Sequence, residues 1–176
     1  MTTGKMVLPF GSKTENIKAN EMEPKTKITA EDGKQELVIT REFDLPLELL
    51  FKAHSEPDII EQWMGTKVLK LEGKKHGSWQ FETKDAKGNT VFGAGGVIHE
   101  FSPNRKITRT FEMENVPFGV QIEFTEFEQL TADTSKLSIH TIYESAAQRD
   151  QAVKFGMAQG INWAHNRLEE VLKTLK

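Results

Sequence analysis

The sequence predicts one α+β domain, a curved antiparallel β-sheet wrapped around a long C-terminal α-helix, with two short helices after the first strand. Three observations predict it. Strand-length apolar runs alternate with turn signals from Lys67 to Tyr143. Two short helical segments sit directly behind an earlier strand. A proline-free stretch from Ser145 to Lys176 carries apolar residues at three- and four-residue steps.

Taken in order, Met1 to Gly33 is rich in Lys, Glu, Thr and Asn, lacks a sustained period and ends on the turn signal Glu31-Asp32-Gly33. It reads as a flexible N-terminal extension or one loosely docked strand, with the folded domain spanning residues 34–176. Glu36 to Phe43 is a β-branched strand with Leu37, Ile39 and Phe43 on one face. Asp44-Leu45-Pro46 then caps a helix carrying Leu47, Leu50 and Phe51 to about His54. Ser55-Glu56-Pro57-Asp58 has capping-box spacing and opens a second helix, Ile59 to Trp63, which stops before Gly65.

Six further strands follow, Lys67 to Glu72, Ser78 to Thr83, Val91 to Phe101, Lys106 to Met113, Val120 to Gln129 and Lys136 to Tyr143. A meander of this kind leaves one large apolar face, and one amphipathic helix with a matching stripe covers it. Ser145 to Gln148 has capping-box spacing, and a single helix follows with Val153, Met157, Ile161, Ala164, Leu168, Val171 or Leu172, and Leu175 on its stripe. Asn162, Asn166, Glu169 and Lys173 are expected on its solvent side.

Composition narrows the function. The 176 residues are 37% hydrophobic and 28% charged with net charge −3, the balance of an ordinary globular protein. Lys74-Lys75-His76 and Arg105-Lys106 are too short to displace counterions from nucleic acid, so no nucleic-acid partner is expected. The chain has no cysteine, which excludes disulfides and thiolate metal sites. Met6-Val7-Leu8 is cut short by Pro9, and no run approaches a membrane span, so a cytoplasmic protein without membrane insertion is expected.

No catalytic or metal centre emerges from residue types. His54, His76, His99, His140 and His165 fall in different elements, and His165 with Glu169 reads as a surface contact one helical turn apart. The aspartates sit at turns or helix starts, where local backbone donors engage them. An inward-facing Glu such as Glu100 or Glu126 is the remaining acid–base candidate. Gly93-Ala94-Gly95-Gly96 leads into strand and reads as a bulge or sharp bend. Gly156 and Gly160 lie one turn apart inside the last helix and suggest close helix-to-sheet contact or room for a ligand.

Several stretches resemble the homologues of the heat-shock-protein-90 ATPase activator, within the START and birch-pollen-allergen-like (SRPBCC) superfamily. They are Phe43-Asp44-Leu45-Pro46, Ala53 to Gly65, Gly77-Ser78-Trp79-Gln80-Phe81, Gly95 to Pro103 and Gly160-Ile161-Asn162-Trp163. The resemblance runs from about Leu37 to Leu175 and implies a helix-grip fold, often with a pocket between sheet and helix. Two departures accompany it. Gly160 and Trp163 are separated where family members commonly have Gly-Trp adjacent, and nothing in Met1 to Gly33 resembles the activators' N-terminal domain. Stimulation of the chaperone's ATPase is therefore not expected.

The resulting expectation is a non-catalytic protein without cofactor or metal that binds a small hydrophobic or amphipathic ligand between sheet and helix. Strand alternation places Trp79 and Phe81, Phe111, Ile122 and Phe124, and Ile139 and Thr141 at the site. Met157 and Ile161 face them from the helix, and Trp63 lies near the mouth or wall. Two alternatives are an interaction module that meets a chaperone or other protein, and a cyclase- or hydrolase-like enzyme.

Overall fold

The computed structural model describes residues 25–175, and the rest of the expected N-terminal extension lies outside them. Its element order is β1 (Lys27–Thr29), β2 (Glu36–Phe43), α1 (Leu47–Ser55), α2 (Pro57–Met64), β3 (Lys67–Leu71), β4 (Ser78–Lys84), β5 (Thr90–Ser102), β6 (Lys106–Met113), β7 (Val120–Gln129), β8 (Ser135–Ile142), α3 (Ala146–Lys154) and α4 (Met157–Lys173). The strands form one eight-stranded antiparallel sheet in the order β1-β2-β8-β7-β6-β5-β4-β3. β3 to β8 are the expected meander, and its last strand returns to pair with β2. This is the helix-grip architecture, with the helices packed on one face.

β1 is an element the sequence hinted at only as a loosely docked strand. It pairs with β2 through Ile28 opposite Ile39, and Thr26 just ahead of it is buried. The sheet therefore begins before Gly33. Arg149 of α3 secures the same stretch, donating to the Glu31 carbonyl at 2.9 Å and the Glu36 carbonyl at 3.3 Å.

The helices depart from expectation at two places. Ser55 does not cap α2; its hydroxyl donates back to the Phe51 carbonyl at 3.0 Å, inside α1. The expected single C-terminal helix is two. α3 is capped as the spacing predicts, by Ser145 Oγ accepting from the Gln148 amide, but it ends at Phe155, and Gly156 takes a left-handed φ of +83°. That conformation suits glycine and interrupts an α-helix. The break shifts the stripe, so Ala152 and Arg149 are buried while Val153 is turned out to solvent.

The Gly93–Gly96 run is not a bulge. Each of its residues is paired with β4, and the two register shifts of β5 fall outside it, against β4 between Thr83 and Lys84 and against β6 between Ile98 and Glu100. Gly96 is needed for close approach, because a Cβ there would collide with the Thr110 carbonyl, which also accepts from Trp79 Nε1 at 3.1 Å.

Inward positions of β2 are Leu37, Ile39, Arg41 and Phe43. The buried Arg41 draws the supposedly solvent-facing residues of α4 toward the sheet. Its Nη1 donates to Asn166 Oδ1 at 2.7 Å and its Nη2 to Glu169 Oε2 at 2.7 Å. His165 and Glu169 are both buried, and His165 Nδ1 lies 3.1 Å from Thr26 Oγ1, so they are not a surface pair. No helix among the described residues is long and apolar enough to cross a membrane.

Candidate functional site

A cavity of about 230 Å³ lies between the sheet and helices α1 to α4. Ile39 of β2, Phe111 and Met113 of β6 and Ile139 of β8 form the sheet-side wall. Trp63 and Met64 come from α2, and Met157, Gly160 and Ile161 from α4. These strands contribute because alternation turns every second residue to this face. Trp63 is fixed by its Nε1 donating to the Ala53 carbonyl at 2.7 Å. Phe155, 43% exposed, also lines the cavity at the α3–α4 junction and packs edge-on against Phe118 at 5.0 Å.

Polar groups in this apolar enclosure are few. Arg109 and Glu123 face each other across β6 and β7, with Arg109 Nε donating to Glu123 Oε2 at 2.8 Å. The Arg109 guanidinium lies over the Trp79 ring, 4.2 Å from its centroid, so a π-face covers one side of the charge. Tyr143 donates to Met157 Sδ at 3.7 Å, and burial with the nearby Glu123 charge raises its pKa.

Two histidines complete the lining. His54 Nδ1 lies 2.9 Å from the Leu50 carbonyl, which can only accept, so the ring proton sits on Nδ1 and Nε2 is a free acceptor. Burial, reinforced by Arg109, pushes the pKa of His54 down to about 4. Burial likewise pushes His165 down to about 3. Both imidazoles are neutral near neutral pH, and the cavity holds one compensated charge pair. Among the described residues no group of three or more His, Cys, Asp or Glu is arranged to hold a metal ion.

Five of the ten residues expected at the site line this cavity, namely Trp63, Phe111, Ile139, Met157 and Ile161. Trp79, Phe81 and Thr141 point inward but are packed into solid core, exposed by 2%, 3% and 3%. Trp79 sits behind Arg109, which takes its place at the wall. Ile122 and Phe124 are on the opposite face of the sheet. Ile122 is 41% exposed, and Phe124 lies beside His140 and Lys106 on the outside. The reason is register: Phe127 faces the core opposite Leu137, which turns Thr125, Glu123 and Gln121 inward and the apolar even-numbered residues out.

The same parity relocates the acid–base candidate. Glu126 is exposed, and Glu100 pairs with Arg105 at 3.1 Å and Lys106 at 3.6 Å. The glutamate in the cavity is Glu123. His54, Arg109 and Glu123 are thus among the site residues that sequence reasoning missed, together with Tyr143 and His165.

Comparison with known proteins agrees with this architecture. A crystal structure of a protein from Rhodobacter sphaeroides superposes with a TM-score of 0.74 at 19% identity, over 85% of this chain and 100% of that one. One from Mycobacterium smegmatis gives 0.74 at 17%, over 84% and 96%. A third, from Nitrosomonas europaea, gives 0.69 at 22%, over 84% and 100%. At these identities the likeness is one of fold. No curated protein matches the chain. The family model described as activator of Hsp90 ATPase homolog 1-like protein matches residues 44–173, from the end of β2 through the whole of α4. With most of its length inside that match, this protein belongs to the family of activator of Hsp90 ATPase homolog 1-like proteins.

Proposed function

We propose that this protein binds a small apolar or amphipathic molecule, without transforming it, in the cavity between the sheet and α4. The observation that carries the reading is the partly open cavity of about 230 Å³ with mainly apolar walls. Engineered apolar cavities of about 150 Å³ already take up benzene, while drug-sized ligands occupy pockets of about 300–1,000 Å³. The ligand is accordingly small.

Replacing Met157 by Trp tests this. If the space accepts ligand, an apolar fluorescent probe binds the wild type saturably, and Met157→Trp abolishes binding while unfolding stays within about 1 kcal/mol of wild type, because the ring fills vacant volume. A wild type that binds no probe, together with a variant destabilised by about 1–3 kcal/mol, refutes the reading. Native mass spectrometry of protein from its source then identifies the co-purifying molecule.

One observation bears on a cyclase- or hydrolase-like alternative: a neutral His54 lines the cavity together with Arg109 and Glu123. The chaperone-associated alternative rests on the family description alone.

A further inference from the structure

Granted that the cavity binds a small molecule as argued above, we propose that its ligand is an uncharged molecule of one or two rings bearing a carbonyl oxygen, which Arg109 grips. A hydroxyl on the same ligand donates to Glu123. The first support is the geometry of Arg109. Its Nε bonds Glu123 Oε2 at 2.8 Å and its plane is held over Trp79, so the side chain is immobilised by partners that leave both Nη nitrogens for another acceptor. A guanidinium has five N–H donors in a fixed fork, and one is used here. Glu123 likewise keeps Oε1, because the Arg109 bond is made to Oε2.

Charge balance supplies the second support. Arg109 and Glu123 cancel, and the imidazoles of His54 and His165 lining the same space are neutral near neutral pH. An anionic ligand brought to Arg109 would place a second negative charge beside Glu123, in a site with no other cationic group on its walls. A cationic one would meet Arg109. Either leaves an uncompensated charge in a mainly apolar, largely buried site, which is unfavourable. A neutral oxygen acceptor satisfies the guanidinium with no such penalty. Size is the third support, since about 230 Å³ exceeds the benzene-sized cavity but falls short of drug-sized pockets.

Three naphthalene probes separate the possibilities by fluorescence titration: 6-propionyl-2-dimethylaminonaphthalene, 2-dimethylaminonaphthalene without the carbonyl, and 6-dimethylaminonaphthalene-2-sulfonate. The ketone should bind saturably and about 10- to 100-fold more tightly than the carbonyl-free ring, the range expected for a hydrogen bond to a charged group. The sulfonate should bind more weakly than the ketone. Arg109→Met should weaken the ketone about tenfold or more and leave the carbonyl-free ring unchanged. Because that change strands Glu123, the double variant R109M/E123Q, which removes both charges, is measured alongside and should show the same selective loss. Equal affinity for ketone and carbonyl-free ring, or tighter binding of the sulfonate, overturns the inference while leaving the cavity reading intact. No binding of any probe overturns the cavity reading and the inference with it.

Discussion

Replacing Glu169 by Gln should cost more stability than any exposed substitution on α4. Glu169 Oε2 lies 2.7 Å from Arg41 Nη2 and 3.6 Å from Lys25 Nζ, and Oε1 lies 3.1 Å from Lys173 Nζ. The Arg41 and Glu169 side chains are 1% and 6% exposed, whereas those of Lys25 and Lys173 are 51% and 49% exposed. Only the first pair is a desolvated one. Removing one member of a buried pair costs about 3–5 kcal/mol, because the other charge stays buried, and Arg41 Nε already has no hydrogen-bond partner. For a chain of this length each kcal/mol shifts Tm by about 2–4 °C, so E169Q should melt roughly 6–20 °C below wild type. Lys173→Ala removes an exposed partner and should cost less than about 1 kcal/mol. Burial pushes the Glu169 carboxyl up, but Arg41, Lys173 and Lys25 outweigh it and hold the pKa below the ordinary value. Stability from this group is therefore present above the ordinary carboxylate range and lost as pH falls through the folded pKa, and E169Q should remove that dependence. Differential scanning calorimetry of the three proteins at several pH values decides it. An E169Q melt no lower than that of Lys173→Ala would refute the reasoning.

The N-terminal strand and the histidines give the remaining expectations. A chain starting at Lys34 lacks β1, the Thr26 hydrogen bonds to His165 and Asn162, and the Glu31 carbonyl that Arg149 engages. It should still unfold cooperatively but several degrees below a chain starting at Lys25, and equal melting temperatures would show that β1 adds no stability. His54 and His165 have folded pKa values of about 4 and about 3, against an ordinary 6.5. Between pH 6.5 and about 4 the unfolded chain takes up protons that the folded rings refuse, so stability falls with pH by up to ~1.4 kcal/mol per pH unit for each histidine. Urea titrations of His54→Gln should show that slope reduced, and an unchanged slope would mean that His54 titrates normally in the fold.

Strand boundaries are legible because they are punctuated by turn chemistry. β2, β6 and β7 begin and end where the sequence predicts. Asn104 and Gly119, in the turns flanking β6, both adopt positive φ, as the residue types there suggest. The C-terminal break is not legible from periodicity, since Val153, Met157 and Ile161 keep a four-residue step across it. The residue that ends α3 is Gly156, and the sequence does contain it. In an uninterrupted helix such a glycine costs about 1 kcal/mol, and it is favoured where the chain must turn left-handed.

The site is harder to read, for a reason that lies in the alternation rule itself. Turning apolar residues inward on every strand fails at β7, which carries Val120, Ile122 and Phe124 on one parity and Gln121, Glu123, Thr125 and Phe127 on the other. Parity alone cannot choose between them; pairing can. The turn at Val116 to Gly119 sets the β6–β7 register, in which Ile107 pairs with Thr125, Arg109 with Glu123 and Phe111 with Gln121. Ile107 and Phe111 lie on the inward parity of β6, so their partners must be inward too. That step brings a cation and an anion face to face on the cavity side, a cross-strand pairing that stabilises both. Arg41 follows the same logic on β2, lying between inward Ile39 and Phe43 with its partner on α4. An arginine at an inward position of this sheet thus marks a carboxylate facing it from another element, and for Arg109 the hairpin register alone identifies that carboxylate as Glu123.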